Sequence, residues 1–150
     1  MNKRKKPVAS LCILLTVILI TIMCADAQSS YFRNWPAGRS PQEVGKRLAE
    51  NFLKRDFEYQ SGKRPYVIYP EACTWYGALN VAEELKDKDL KTRLVQKFDR
   101  FLTPEGAKAI SPQAHVDYRV FGIVPLEIYM QTKDRRFLDI GQGLADKQWE

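Results

Sequence analysis

Apolar side chains recur along this chain at helical spacing in five separate runs. Polar or Pro- and Gly-containing connections divide the runs, and no stretch alternates apolar and polar as a half-buried strand does. The first run opens at Ser40-Pro41-Gln42-Glu43. Ser40 can cap, Pro41 suits the first helical position and Glu43 completes a capping box. Val44, Leu48 and Phe52 follow at intervals of four and predict one apolar face to about Phe57. Residues 58–69 hold Gly62 and Pro65 and read as a loop, with a short extended piece at 66–69. A second helix is predicted from near Pro70, with Ala72, Trp75, Tyr76, Leu79, Ala82 and Leu85 in phase. Lys86-Asp87-Lys88-Asp89 is a polar turn in which either Asp can cap the third helix. That helix carries Leu90, Leu94, Val95, Phe98 and Leu102 and ends at Thr103-Pro104. Residues 105–115 read as loop. A fourth helix starts around Asp117 and holds Val120, Phe121, Val124 and Ile128, with Pro125 expected to kink it. After a polar turn at 131–134, a fifth carries Phe137, Leu138, Ile140, Leu144, Ala145 and Trp149. The predicted class is all-α.

A weak internal repeat sharpens this picture. Tyr76-Gly77-Ala78-Leu79 and Phe121-Gly122-Ile123-Val124 lie 45 residues apart, and Lys88-Asp89 matches Lys133-Asp134 at the same offset. Each unit is helix, short turn, helix, and short connections favour antiparallel neighbours. Antiparallel helical hairpins in series suggest a solenoid or a closed α/α toroid. The last helix stays in phase through Trp149, and repeat arrays normally end in an atypical capping unit. The expectation is therefore that this is the N-terminal part of a longer protein, incomplete as a ring.

The beginning of the chain changes how its composition is read. Lys3, Arg4, Lys5 and Lys6 precede an uncharged run at 8–23, and Ala25-Asp26-Ala27 follows as an A-x-A cleavage signal. As a helix the run would reach roughly 24 Å, short of a hydrocarbon core of ~30 Å. Residues 1–27 thus read as an export signal, 28–39 as a lead-in and 40–150 as the folded part. Competing readings are acylation of Cys24, which lacks the usual small residue before it, and an uncleaved anchor. All three send the chain out of the cytoplasm, to a periplasmic or secreted location, and give the membrane no other role. Without residues 1–27 the net charge falls from +6 to +3, with positive residues scattered among acids, which argues against nucleic acid as a partner. Only Cys73 is left beyond the signal, which excludes a disulfide scaffold.

Two places could carry chemistry. His115-Val116-Asp117-Tyr118 puts the sole His, a carboxylate and an aromatic at a loop-to-helix junction. Asp117 at a helix start would feel uncapped N–H groups, and residue chemistry alone favours an N-cap there. The second is Tyr69-Pro70-Glu71-Ala72-Cys73-Thr74-Trp75-Tyr76-Gly77. Its aromatics can stack on sugar faces or fill a core, and spacing favours core for Trp75. Cys73 has no base nearby in sequence. No metal-ligand cluster, phosphate-cradling glycine loop or Ser-His-Asp set is present, so no metal or other cofactor is expected.

The Tyr69 to Leu79 segment, His115-Val116-Asp117-Tyr118, the run from Val120 to Tyr129 and Thr132-Lys133-Asp134 together resemble the unsaturated glycuronyl hydrolases of glycoside hydrolase families 88 and 105. The secreted rhamnogalacturonyl type is the nearest in character, and the resemblance spans residues 40–150. It implies an (α/α)6 barrel of about twelve helices with its site at the barrel mouth. The implied substrates are lyase-generated oligosaccharides, of pectin or rhamnogalacturonan origin, with a C4=C5 double bond in the terminal uronic acid. It implies no metal and no nucleotide: a carboxyl group protonates C4, water adds at C5 and the hemiketal opens. This differs from ordinary glycoside hydrolysis, in which two carboxylates flank the bond. On this resemblance Asp117 matches one essential Asp, with His115, Trp75 and Tyr76 as candidates for the sugar-binding wall. A second Asp, the proton donor on a Trp-x-Asp-like segment, has no counterpart before Glu150, so the chain by itself is expected to be inactive. Two other functions fit the residues: an exported helical-repeat binding module, and another α/α-toroid carbohydrate enzyme using Tyr, His or Arg.

Overall fold

The computed structural model describes residues 34–57 and 65–148. The proposed signal, Cys24 and Trp149 lie outside them. The chain divides into Met1–Ala37 and Gly38–Glu150. In the first unit the described residues, 34–37, form no helix, and Asn34 has a positive φ of 62°. The described part of the second is all-α and without strands.

Helix α1 (Pro41–Lys54) begins as its sequence predicts. Ser40 Oγ accepts from the Glu43 N–H at 3.2 Å, and the Glu43 carboxylate accepts from the N–H groups of Ser40 and Gly38. The Ser40 hydroxyl, donating to the Glu43 carboxylate at 2.7 Å, and then these two N–H groups hold the Glu43 carboxyl below its usual range. The buried face differs from the expected one. Ala49 and Phe52 are buried and Leu48 is 62 % exposed. The face that meets α2 runs through Gly45, whose Cα faces the Val81 side chain, and small residues there allow the close approach. Gly45, Ala49 and Phe52 lie within about 60° of one another around the helix and set the buried direction, with Leu48 at its edge.

Helix α2 (Tyr69–Glu84) is the central element and packs against α1 and against the helices Lys88–Phe98 and Ile123–Thr132. Its side chains Ala72, Trp75, Ala78, Leu79 and Ala82 are buried. Trp75 is fully enclosed by Phe52, Phe57, Phe98, Phe101 and Phe121, with ring centroids 5.5–6.3 Å away. Its indole N–H donates to the Leu94 carbonyl at 3.1 Å, so the one polar atom of the buried ring is satisfied. Helix α3 (Lys88–Phe98) is capped by Asp87, whose Oδ1 accepts from the Leu90 N–H. A 3₁₀ turn at Asp99–Leu102 continues it and swings Phe101 inward, so that Phe101 is buried and Leu102 only half-buried. The expected loop after it contains one short helix, α4 (Pro104–Ala107), whose cap Thr103 accepts from the Gly106 N–H.

The fourth predicted helix is in three pieces: α5 (Val116–Arg119), a 3₁₀ turn at Val120–Gly122, and α6 (Ile123–Thr132). The break lies where Pro125 requires it. Proline has no N–H for the carbonyl four residues back, and its ring crowds that carbonyl, here Phe121. Helix α7 (Arg135–Asp146) is capped by Asp134 and lies against α6. A Cβ on Gly141 would sit 2.5 Å from the Leu126 side chain, so the two helices approach through that glycine.

Candidate functional site

Ile110 to His115 leads into α5 as a stretch held by its own hydrogen bonds. Ser111 Oγ accepts from the Gln113 N–H, and the Gln113 carbonyl accepts from the His115 N–H. His115, extended at φ −131° and ψ 137°, is the N-cap: its Nδ1 accepts from the Asp117 N–H at 3.2 Å. Asp117 is thus the second residue of the helix and not its cap, which corrects the residue-chemistry reading. The sole imidazole takes the role usually filled by Asp or Ser. The His115 carbonyl accepts from the N–H groups of Tyr118 and Arg119 at 3.0 and 2.9 Å.

The side chains of His115 and Asp117 are 59 % and 52 % exposed, with Nδ1 and Oδ2 3.8 Å apart. The two relations of Nδ1 exclude each other. Accepting from the Asp117 N–H requires a lone pair on Nδ1, whereas a charge-assisted bond to the Asp117 carboxylate requires a proton there. Of the two, the 3.2 Å approach to the Asp117 N–H is the one within hydrogen-bond distance. No Lys or Arg among the described residues pairs with Asp117. Beside it the His115 and Tyr118 rings meet edge to face at 5.9 Å, and Tyr118 meets Tyr66 in the same way at 5.7 Å. Behind them Arg119 is buried, 7 % exposed, and its guanidinium donates to the carbonyls of Ser111 (3.3 Å) and Pro112 (2.7 Å).

The structure brings His115 and Asp117 together and leaves the other two expected residues elsewhere. Trp75 sits in the aromatic core and presents no face to a ligand. Tyr76 is half-buried on α2 and shares no hydrogen bond or ring contact with the junction. Tyr66 and Arg119 join the site without having been expected. Tyr66 falls in a Pro-containing loop with no periodicity, and Arg119 looks in sequence like a surface cation of a helix. The junction can accept hydrogen bonds from hydroxyls at the Asp117 carboxylate and offer aromatic edges beside it. The Asp117 side chain is 52 % exposed, so its carboxylate is open to hydrogen-bond donors. Among the described residues no three His, Cys, Asp or Glu side chains gather to hold a metal, and no helix is long and apolar enough to cross a membrane. Comparison with family models, curated proteins and solved structures finds no match to the chain.

Proposed function

We propose that this chain carries one arc of an (α/α)6 barrel glycoside hydrolase of the unsaturated glycuronyl type, exported to act on lyase-generated oligosaccharides. In this reading Asp117 binds and orients the uronate hydroxyls, His115 and the phenols of Tyr66 and Tyr118 form the adjoining wall, and a second carboxylate delivers the proton to C4. The observation that carries the reading is the junction itself. In the His115–Tyr118 segment Asp117 has no Lys or Arg partner among the described residues and lies beside an imidazole and two phenol rings. Trp75 has no part in it.

The test follows the ultraviolet absorbance of the C4=C5 double bond in an unsaturated digalacturonide or rhamnogalacturonan disaccharide. The 150-residue chain, with one of the two carboxylates, is expected to give no turnover. In an enzyme with this segment and the remaining helices, Asp117→Asn should lower turnover at least ~100-fold, the scale of a positioned acid/base group. Turnover by the chain alone, or full activity after the substitution, overturns the assignment.

A second reading, a helical-repeat binding module, is favoured by one specific feature. Lys86-Asp87 and Lys133-Asp134, 47 residues apart, each place a left-handed Lys before a capping Asp. That reading predicts that Asp117→Asn changes nothing measurable.

A further inference from the structure

We propose that Arg119 is a positioning residue for this junction: its buried guanidinium fixes the loop that delivers His115 and, through His115, the Asp117 carboxylate. The inference concerns how the junction is held and does not depend on the hydrolase reading.

The argument starts from cost. A guanidinium cannot shed its charge in a protein, and burying it without partners is expensive. Arg119 is 7 % exposed, with no carboxylate beside it among the described residues. Its Nη1 and Nη2 donate to two successive carbonyls, Ser111 and Pro112, while Nε has no hydrogen-bond partner. An arginine serving only as solvated surface charge would extend outward along its helix. This one turns inward and spends its two forked donors on the loop seven and eight residues earlier. The Pro112 carbonyl belongs to a residue that has no N–H of its own to anchor it by.

The same residue holds the junction twice. Its backbone N–H closes the first turn on the His115 carbonyl at 2.9 Å, and its side chain ties down the two residues from which the loop departs. Between these ties run only Gln113 and Ala114, with the His115 N–H bonded to the Gln113 carbonyl at 2.9 Å. The path into the cap is therefore short and fixed at both ends. His115 reaches the Asp117 N–H and the edge of the Tyr118 ring because that path allows no slack. A planar fork that addresses two carbonyls at once is geometry that Lys cannot reproduce with a single ammonium.

The chain has one His, so the carbon-bound ring protons of His115 give unambiguous NMR signals. In the full chain they should be displaced from unstructured-histidine values by the Tyr118 ring. Arg119→Gln should bring them back toward those values while circular dichroism and a cooperative melt show the helices intact, and Arg119→Lys should restore part of the displacement. If the variant folds and His115 keeps its native shifts, the proposal is wrong. If Arg119→Gln does not fold, hydrogen exchange of the unmodified chain decides. The amides of Gln113, His115, Asp117, Tyr118 and Arg119 should open together as one unit, and independent opening of the loop amides from those of the helix overturns the clamp. Activity plays no part in these measurements, so failure of the hydrolase reading leaves their outcome unaffected.

Discussion

Side chains that look alike in sequence are separated here by what their neighbours leave room for. Gly106 is the sharpest case. A Cβ built on it would lie 1.8 Å from the Arg100 carbonyl oxygen, a backbone atom that cannot swing aside. The Thr103 hydroxyl tightens the same turn, accepting from Gly106 and donating to the Arg100 carbonyl at 2.7 Å. Gly106→Ala should therefore destabilise the protein by roughly 3 kcal/mol, the upper end of ordinary overpacking, because the turn has to open. Denaturant unfolding measures this, and a loss below ~0.5 kcal/mol would show that the turn relaxes freely. The same logic separates the two aromatic sites. Trp75 is covered by five phenyl rings and can only be core, whereas Tyr66 and Tyr118 meet edge to face and are only half-buried.

Helix beginnings were legible in the sequence because capping is local chemistry. Ser40 with Glu43 and one of the two Asp of the 86–89 turn, Asp87, cap as their positions suggest, whereas His115 takes the cap expected of Asp117. Helix interiors and ends were less legible, because long-range packing decides them. The 3₁₀ turn after Phe98 exists to bury Phe101 against Trp75 and Phe121, contacts no local pattern announces. The sequence match paired Lys88-Asp89 with Lys133-Asp134; in the structure the Asp that caps the helix after the first of these turns is Asp87, not Asp89. Lys86 occupies the left-handed position of a Schellman motif at φ 54°, with its own N–H on the Glu83 carbonyl and the Asp87 N–H on that of Ala82. Glycine normally fills that place. Lys86→Gly relieves a strain of about 1–2 kcal/mol and gives back about 0.5–1 through the freer unfolded chain, so a net gain of ~0.5–1 kcal/mol is expected. A higher melting temperature with unchanged helix content is the checking measurement, and an unchanged or lower one would show that the turn carries no strain.

The links between distant elements of the described fold include an aromatic cluster and a set of charged pairs, and acid separates these two. The aromatic cluster around Trp75 does not titrate. The charged links do: Lys46 pairs with Asp87 at 2.6 Å, and Arg93 holds Glu50 and Asp89 at 2.6–2.8 Å, joining α1 to α3 and its cap. Hydrogen bonds from these cations, with the Coulomb attraction behind them, hold the Asp87 and Glu50 carboxyls below their ordinary values; Arg136 does the same for Asp134. A carboxyl lowered by folding binds protons less readily in the native than in the unfolded chain. Its contribution is complete above the unfolded value and disappears as pH falls through the folded one. Stability should thus be level near neutrality and decline once pH drops below the ordinary carboxylate range of about 4. The pairs are exposed, so added salt should weaken the same links at neutral pH and flatten the acid slope. Asp87→Asn keeps a capping oxygen but removes the charge that Lys46 sees. It should shallow the decline on acidification more than it lowers stability at pH 7. Denaturant midpoints measured across the acid range in low and high salt read both effects. An Asp87→Asn curve parallel to that of the unmodified chain would mean that the Lys46–Asp87 pair contributes nothing measurable to the α1–α3 contact.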